Sequence, residues 1–463
     1  MFNYYRYHII NGQYLITNEA GFYSFLSEEQ FRQLNCNEPL TDAKKEKELQ
    51  DRCFVIPGSV KEFSDRYMYS LRTSRQYLFH CTSLHIFVLT TACNMQCVYC
   101  QARSGFESCY GMMDTSIAEK AVDFALQSPE KCLTFEFQGG EPLLNWDILQ
   151  HIVEYTEVHK GRHVVDYSVV TNLSLMTPDR LAFLMKYHVG ISTSLDGNAE
   201  VHNSNRPFIN GQETFDIVQK QIHYLQEQGV HVGAIETTTR KGLQYSKELI
   251  DVYYAAGLHS VFIRPLTPLG YAVNNWKEIG YTPEEFLIFY KKCFEYIMEM
   301  NLRGIFMREG HAAIFLRKIL CQDGENYMEL RTPCGGVTGQ IAYFYNGDIY
   351  TCDEGRMLGE MGDQLFRLGN VCNDTFDKVI CSSACQAMMA ASCLESVPEC
   401  SDCAYLPYCG TCPVLNYSEY GDIFPSRPGG YKCRIYKGML DILFEFLSRN
   451  DEHINRVLRS WIA

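Results

Sequence analysis

Residues 91–100 read TACNMQCVYC and come just after the apolar run Leu84–Leu89. The segment places Cys93, Cys97 and Cys100 on one short loop behind a predicted strand. Three thiolates at this spacing can hold three corners of a cubic iron–sulfur cluster. A closed structural site needs four ligands, so three leave one iron open to another molecule. Zinc is the alternative, although it would normally require a fourth Cys or His nearby.

The composition favours a soluble enzyme of a reducing cytoplasm. With 463 residues, of which 46% are hydrophobic, the chain can form about two to four domains. Twenty-one cysteines are a very high and odd total, which favours metal ligands over a disulfide framework. The net charge of −14 argues against nucleic acid as a partner, because phosphate binding requires a basic face. The chain shows no signal peptide and no apolar run as long as a membrane span.

Short apolar runs alternate with helical patterns between residues 80 and 320, which predicts parallel βα units. Six strands are too few to close an eight-stranded barrel, and the active site of such a sheet lies at the carboxyl ends of its strands. The predicted strands are Leu84–Thr90, Leu133–Gln138, Asp166–Thr171, Gly190–Leu195, His231–Thr237 and Ser260–Leu266. The predicted helices are Ser116–Leu126, Trp146–His159, Pro178–Tyr187, Phe215–Gln228 and Gln244–Ala256.

Polar residues follow several of these strands. Gly139, Gly140 and Glu141 end the second strand, within the sequence QGGEP. Glycines allow a backbone to approach a ligand closely, and a carboxylate beside them can accept hydrogen bonds from an ammonium group. Asn172 follows the third strand, and Arg206, after the fourth, can fork onto a carboxylate. We expect these groups to share one pocket at the carboxyl edge of the sheet.

The cysteine loop and the QGGEP segment together resemble the radical S-adenosylmethionine (SAM) enzymes. The resemblance implies a partial (β/α)6 TIM-like barrel and a four-iron–four-sulfur (4Fe-4S) cluster on Cys93, Cys97 and Cys100, whose open iron is chelated by SAM. One electron then cleaves SAM into methionine and a 5′-deoxyadenosyl radical, which removes a hydrogen atom from the substrate. The SAM contacts that the resemblance implies are Tyr99, Gly139, Gly140, Glu141, Asn172, Ser194 and Arg206.

A second group of cysteines lies in residues 321–436, with the spacing C-x12-G-x4-C, then C-x2-C-x5-C-x2-C, then C. This spacing resembles the auxiliary-cluster (SPASM) domain of peptide-modifying radical SAM enzymes, in which three residues more often separate the counterparts of Cys409 and Cys412. By resemblance, one 4Fe-4S cluster is held by Cys400, Cys403, Cys409 and Cys433. A second is held by Cys334, Cys352 and Cys412, with Cys321 or no residue as its fourth ligand. Zinc at C-x2-C-x5-C is the alternative, and we expect metal ligation, not a hydrophobic core, to stabilise this region.

Two carboxylates, Asp353 and Glu354, directly follow the proposed ligand Cys352. A carboxylate in this position can act as the general base that takes the proton released when a substrate radical is oxidised. The alternative is an ordinary salt bridge with Arg356.

Residues 1–79 have the pattern of a separate small α+β domain. Asn11-Gly12 between two apolar runs predicts a hairpin, and Ser27 is positioned to cap a helix. The pattern resembles the winged-helix-like peptide-recognition modules of peptide-modifying enzymes, which would bind a leader peptide along an exposed sheet edge. A structural cap on the barrel is the alternative. Residues 437–463 are predicted to form one packing helix.

Short strings across the chain, among them CDEGRM at residues 352–357 and FRLGNV at residues 366–371, are most similar to the His-Xaa-Ser-type radical SAM peptide maturases. This implies hydrogen abstraction from a small ribosomally made precursor peptide and closure of a cross-link. An auxiliary cluster would accept the second electron, and flavodoxin or ferredoxin would act as reductant. The alternatives are a thioether-forming maturase, a formylglycine-generating sulfatase maturase and a non-catalytic iron–sulfur electron carrier.

Overall fold

The computed structural model describes residues 2–102, 111–322, 328–424 and 429–462, and these contain two β-sheets surrounded by helices. Strands β1 to β13 are Arg6–Ile10, Gln13–Thr17, Tyr23–Leu26, Leu84–Val88, Cys132–Gln138, Val164–Val170, Gly190–Ser194, Val232–Thr237, Ser260–Arg264, Arg308–Glu309, Gln340–Tyr343, Asp348–Tyr350 and Arg367–Asn370. Helices α1 to α10 are Glu28–Asn35, Ala43–Asp51, Val60–Ser74, Thr115–Ala125, Trp146–His159, Pro178–Lys186, Ala199–Asn205, Phe215–Glu227, Ser246–Ala255 and Tyr271–Asn274. Helices α11 to α19 are Trp276–Ile279, Pro283–Leu302, Gly310–Cys321, Asp353–Glu360, Phe376–Ile380, Ser383–Ser392, Pro413–Tyr420, Tyr431–Ser448 and Glu452–Ser460.

The centre of the molecule is a parallel sheet in which β4 to β9 are neighbours in both sequence and space. Helices follow each of these strands and cover the outer face of the sheet, as expected for βα units. All six predicted strands are confirmed, with slightly different ends, and the five predicted helices correspond to α4, α5, α6, α8 and α9. The protein is therefore a mixed α/β structure with a large parallel sheet, consistent with a TIM-like fold.

Side chains along these strands alternate between the helix layer and the inner face of the sheet. In β5, Leu133, Phe135 and Phe137 are buried, whereas Glu136 and Gln138 are only partly buried. Because successive residues of a strand point to opposite faces, the apolar set packs under the helices and the polar set faces inward. The inner face therefore ends in polar groups at the carboxyl edge, where the cavity described below opens.

Strands β11 to β13 extend this sheet beyond β4. β11 pairs in parallel with β4, and β12 and β13 then follow as antiparallel strands. Tyr343, Ile349 and Tyr408 belong to the same buried apolar cluster as the barrel. The expectation that metal ligation alone stabilises residues 321–436 is therefore wrong, since this region shares the hydrophobic core of the barrel through a strand pairing between distant parts of the chain.

The N-terminal residues form a three-stranded antiparallel sheet in the order β1-β2-β3. The predicted hairpin is present, and both of its turn residues, Asn11 and Gly12, have positive φ. Ser27 caps α1 in a full capping box, as the sequence predicts. One face of the sheet packs on α1 and α2 through Ile16 and Phe31, and the other packs on Phe444 of α18. The chain after β2 also contacts the cysteine-rich region directly, since the Tyr408 hydroxyl donates to the carbonyl of Gly21 at 3.0 Å.

The C-terminal residues form two helices, α18 and α19, instead of the single predicted helix. The chain turns at Asn450, which has a positive φ, and Asp451 caps α19. Because α18 begins at Tyr431, the predicted boundary between residues 436 and 437 lies inside this helix. Across the described ranges, no helix combines the length and the apolar character that a membrane span requires.

Candidate active site

The cysteine loop leaves β4 at the carboxyl edge of the sheet and is held by backbone hydrogen bonds. The amide of Gln96 donates to the carbonyl of Pro207 at 2.8 Å, and the amide of Val98 donates to that of Asn205 at 2.9 Å. Cys93, Cys97 and Cys100 all line one cavity, of about 290 Å³. The loop therefore presents its three thiols to a common space next to the inner face of the sheet.

These three thiols fit a cluster that binds three cysteines. Burial raises the pKa of Cys93, and the neighbouring thiol of Cys97 raises it further. The same two causes raise the pKa of Cys100 to about 11. Iron binding must therefore release their protons, because thiolates are the ligating form. Within the described ranges, no three Cys, His, Asp or Glu side chains are close enough to share one metal ion. The ligands of a four-iron cluster bind different iron atoms, whereas all the ligands of a zinc site bind one ion. The ligand atoms of a cluster therefore lie farther apart than those of a zinc ion.

Gly139 and Gly140 lie against the start of the cysteine loop. The amide of Gly140 donates to the carbonyl of Thr90, and the amide of Glu141 donates to that of Ala92, both at 2.8 Å. A Cβ at Gly140 would lie only 2.1 Å from the carbonyl oxygen of Ala92. These glycines are thus required for the close approach of two protein segments, and both also line the cavity.

Glu141 is a buried carboxylate in the cavity wall, with an exposed fraction of 1%. Its oxygens accept hydrogen bonds from the Thr171 hydroxyl at 2.7 Å, the Asn172 amide at 2.8 Å and the Leu143 amide at 3.0 Å. Burial raises its pKa, whereas these donors lower it. A carboxylate has about four acceptor positions, so Glu141 can also receive an ammonium group, as the sequence predicts.

The remaining predicted SAM contacts also line this cavity, namely Tyr99, Asn172, Ser194 and Arg206. Arg206, however, has a protein partner, because its Nε donates to Asp196 Oδ2 at 3.1 Å. The same oxygen accepts from the Tyr99 hydroxyl at 2.5 Å, and the guanidinium lies 5.1 Å from the centre of the Tyr99 ring. Arg206 and Asp196 therefore fix the cysteine loop, and the sequence assigned no role to Asp196.

The cysteine-rich region brings together the four cysteines assigned to one auxiliary cluster. Burial is the main cause of the raised pKa of Cys409, to about 12, and the thiols of Cys433, Cys403 and Cys400 raise it further. Cys400, Cys403 and Cys433 line a separate cleft of about 320 Å³. Four thiols that influence one another in this way fit a fully ligated cluster.

The second auxiliary set is fully buried and contains three cysteines. Burial raises the pKa of Cys352 and of Cys412, and Cys334 and Glu354 act on both thiols in the same direction. The proposed fourth ligand, Cys321, is instead an exposed residue at the end of α13. The structure therefore gathers a set of three and leaves Cys321 in a different environment.

Helix α14 connects this buried set to the cavity. Cys352 caps its first turn, and Arg356 lines the cavity next to Met357. The guanidinium of Arg356 forms ion pairs with Asp353 at 2.8 Å and with Glu360 at 3.1 Å. The salt bridge that was the alternative for Asp353 is thus present, and Glu354 lines a neighbouring cleft.

Sequence reasoning missed Glu360, whose side chain is almost fully buried. Burial raises the pKa of Glu360 to about 7, although the partner Arg356 lowers it. Its position four residues after Arg356 on one helix was the available signal.

Comparisons with known proteins agree with this site. Residues 87–253 match the model of the radical SAM superfamily. The uncharacterized protein MJ0907 of Methanocaldococcus jannaschii is 27% identical over 40% of the chain and 62% of its own length. The cysteine-type anaerobic sulfatase-maturating enzyme of Clostridium perfringens is 25% identical over 58% of the chain and 74% of its own length.

Two solved structures share the fold. Native anSMEcpe with bound AdoMet and the Cp18Cys peptide has a TM-score of 0.67 and 19% identity, and the match covers 82% of this chain and 99% of that one. Streptococcus suis SuiB bound to its precursor peptide SuiA has a TM-score of 0.53 and 14% identity, with 90% of this chain and 96% of that one covered. Together with the cysteine loop and Glu141, the superfamily match shows that residues 87–253 of this chain form a radical SAM domain.

Proposed function

We propose that the enzyme is a peptide maturase that removes a hydrogen atom from a peptide carbon and closes a carbon–carbon, carbon–oxygen or carbon–sulfur cross-link. The observation that carries this proposal is helix α14. Its first turn is capped by Cys352, a ligand of the proposed auxiliary cluster, and Arg356 on the next turn lines the SAM cavity. A substrate radical formed in the cavity would therefore lie close to an electron acceptor.

A second contact between the two sites supports the same arrangement. Glu354 and Lys432 line a small cleft that shares Gln101 and residues 264–267 with the SAM cavity. Glu354 also acts electrostatically on Cys352 and Cys412. We infer that the modified segment of the peptide lies along this shared wall.

The residues of the chain have distinct parts in the reaction. Cys93, Cys97 and Cys100 would bind one 4Fe-4S cluster, and Glu141 would hold the amino group of SAM. When bound, these cofactors supply the radical that abstracts hydrogen, which is chemistry that no side chain offers. The neighbouring cavity walls exclude water from that radical.

The reaction removes two hydrogens from the peptide. One leaves as a hydrogen atom, and the other leaves as a proton when the cross-link forms and the auxiliary cluster takes the remaining electron. We propose that Asp353 accepts this proton, because it lies beside Cys352 and is held by Arg356. In this scheme each turnover consumes one SAM, and the electron taken by the auxiliary cluster balances the one used to cleave SAM.

The peptide partner is proposed from the N-terminal sheet. Tyr7 and Ile9 on the edge strand β1 have exposed fractions of 55% and 53%. The other edge strand, β3, is partly covered, since the carbonyl of Tyr23 accepts a hydrogen bond from Arg52. A leader peptide could therefore add to β1 as a further strand.

We also propose that flavodoxin or ferredoxin supplies electrons and that the enzyme works in the cytoplasm, where its 21 cysteines stay reduced.

Formylglycine formation on a sulfatase is the second candidate. It is favoured by the sulfatase-maturating relatives and by the acidic residue Asp353 directly after a cluster cysteine. Thioether formation is a variant of the first candidate that requires Cys in the peptide.

Mass spectrometry separates these reactions. The reconstituted enzyme is incubated anaerobically with SAM, reductant and either the peptide encoded by the nearest small reading frame or a cysteine-type sulfatase peptide. Loss of two hydrogens from the first peptide, in a product whose backbone fragments remain linked, supports the cross-linking maturase. Conversion of the sulfatase thiol into an aldehyde, with no change in the first peptide, would replace it with the second candidate. Cys97→Ala should abolish either product, whereas the exposed Cys36→Ala should not.

A further inference from the structure

Arg6 joins the N-terminal sheet to the loop that carries Cys400 and Cys403. Its Nε donates to the carbonyl of Ser401, and its Nη2 pairs with Glu19. Two further bonds connect the same elements. The Tyr4 hydroxyl donates to Asp402 at 3.1 Å, and the Thr17 hydroxyl donates to the carbonyl of Ala404 at 2.7 Å. The N-terminal sheet is thus built onto the ligand loop of one proposed auxiliary cluster.

One donor of Arg6 has no protein partner. Arg6 has an exposed fraction of 5%, and its Nη1 is a buried nitrogen without a hydrogen-bond acceptor among the described residues. A buried charged donor without a hydrogen-bond acceptor destabilises the fold, so such an atom calls for an acceptor. The adjoining loop carries cysteines that would bind a cluster with sulfide and thiolate acceptors.

The charge of Arg6 reaches these cysteines. Arg6 and Lys437 both act on the thiol of Cys403 as positive neighbours. Lys437 is exposed, so solvent screens its charge, whereas the charge of Arg6 is buried and screened much less. Lys437 nevertheless precedes Arg6 in its effect on this thiol, so the chain contains one exposed and one buried cation beside the same ligand, which provides a matched pair for experiment.

We propose that Arg6 is a positioning residue for the cluster held by Cys400, Cys403, Cys409 and Cys433, that its Nη1 donates a hydrogen bond to a sulfur of that cluster, and that it raises the reduction potential. This inference rests on the auxiliary cluster of the proposed function. Reduction adds negative charge to a cluster, and nearby positive charge and hydrogen bonds to its sulfurs stabilise the reduced form. The N-terminal domain would thereby adjust an electron acceptor as well as bind peptide.

The test is a redox titration of the full holoenzyme followed by electron paramagnetic resonance, with iron counted in each sample. Addition of SAM identifies the signal of the SAM-binding cluster, and the Cys334 set provides an internal reference. Arg6→Gln should lower the reduced-to-oxidised ratio of one auxiliary cluster about tenfold at a fixed potential, equal to about 59 mV for one electron. Lys437→Gln should shift the same cluster in the same direction, because it also removes a positive charge beside Cys403.

Glu19→Gln provides a prediction of opposite sign. It removes the anion paired with Arg6, so the field at the cluster becomes more positive and the potential should rise. If Arg6 only held the loop closed, Arg6→Gln would admit water, which stabilises the more charged reduced cluster and raises the potential. A raised or unchanged potential in Arg6→Gln, or a lowered one in Glu19→Gln, overturns the inference. If the wild-type enzyme contained only about four irons per chain, enough for the SAM-binding cluster alone, the proposed function would be overturned instead.

Discussion

Gly140→Ala should disable the enzyme by displacing the cysteine loop. The added methyl group would lie 2.1 Å from the carbonyl oxygen of Ala92 and 2.9 Å from that of Thr91. Both are backbone atoms at the start of the loop, so no side-chain rotation can relieve the overlap. The loop must retreat by roughly 1 Å, and misplacement of a reacting group by about 1 Å can cost about a hundredfold in rate.

The same overlap should lower stability. Overpacking a well-packed site typically costs about 1–3 kcal/mol, and contact with two backbone carbonyl oxygens argues for the upper part of that range. We therefore expect Gly140→Ala to melt at a lower temperature and to form 5′-deoxyadenosine about a hundredfold more slowly.

The assay measures 5′-deoxyadenosine under reducing, anaerobic conditions, together with iron content and the melting temperature. Gly190→Ala is the matched control, because it adds the same methyl group to a strand glycine whose nearest neighbour would lie 3.6 Å away. It should behave like the wild type. If Gly140→Ala formed 5′-deoxyadenosine at the wild-type rate with normal iron content, the proposed contact between the two motifs would be refuted.

Three further predictions concern carboxylates around the cavity. Glu141→Gln should weaken SAM binding by about 1–3 kcal/mol, because the neutral amide removes the negative charge that would pair with the ammonium group; equilibrium dialysis tests this, and unchanged affinity would contradict it. Asp353→Asn should still form 5′-deoxyadenosine, but its yield of peptide product should fall about a hundredfold or more. Chromatography measures both compounds, and an equal loss of 5′-deoxyadenosine and peptide product would contradict the prediction. Burial raises the pKa of Glu360 from 4.5 to about 7, so its stabilising contribution is present below pH 4.5 and disappears as the pH rises through about 7. Glu360→Gln should flatten that part of the pH dependence of the free energy of unfolding. Urea titrations at several pH values between about 4.5 and 7 measure this dependence, and the same dependence in the variant and the wild type would contradict the prediction.

The parallel strands and the cavity could be predicted because their signals are local. Each strand is a short apolar run, and the cysteine loop and Glu141 each follow such a run directly. Since parallel strands end at one edge, sequence order alone brought Cys93, Glu141 and Asn172 to the same cavity, as the structure confirms.

Contacts between distant segments could not be predicted in this way. Strand β11 pairs with β4 across more than half of the chain, and nothing in its four residues identifies that partner. The pairing of Arg206 with Asp196 likewise depends on side-chain directions that a pattern of residue types does not contain.

The most direct test of the account is iron and SAM stoichiometry in one sample. The protein is reconstituted anaerobically with iron and sulfide, and 5′-deoxyadenosine is measured after addition of SAM and reductant. The account predicts 5′-deoxyadenosine and about twelve irons per chain, in three four-iron clusters. About four irons with activity would contradict the auxiliary clusters, and full iron loading without 5′-deoxyadenosine would contradict the assignment of the cavity to SAM.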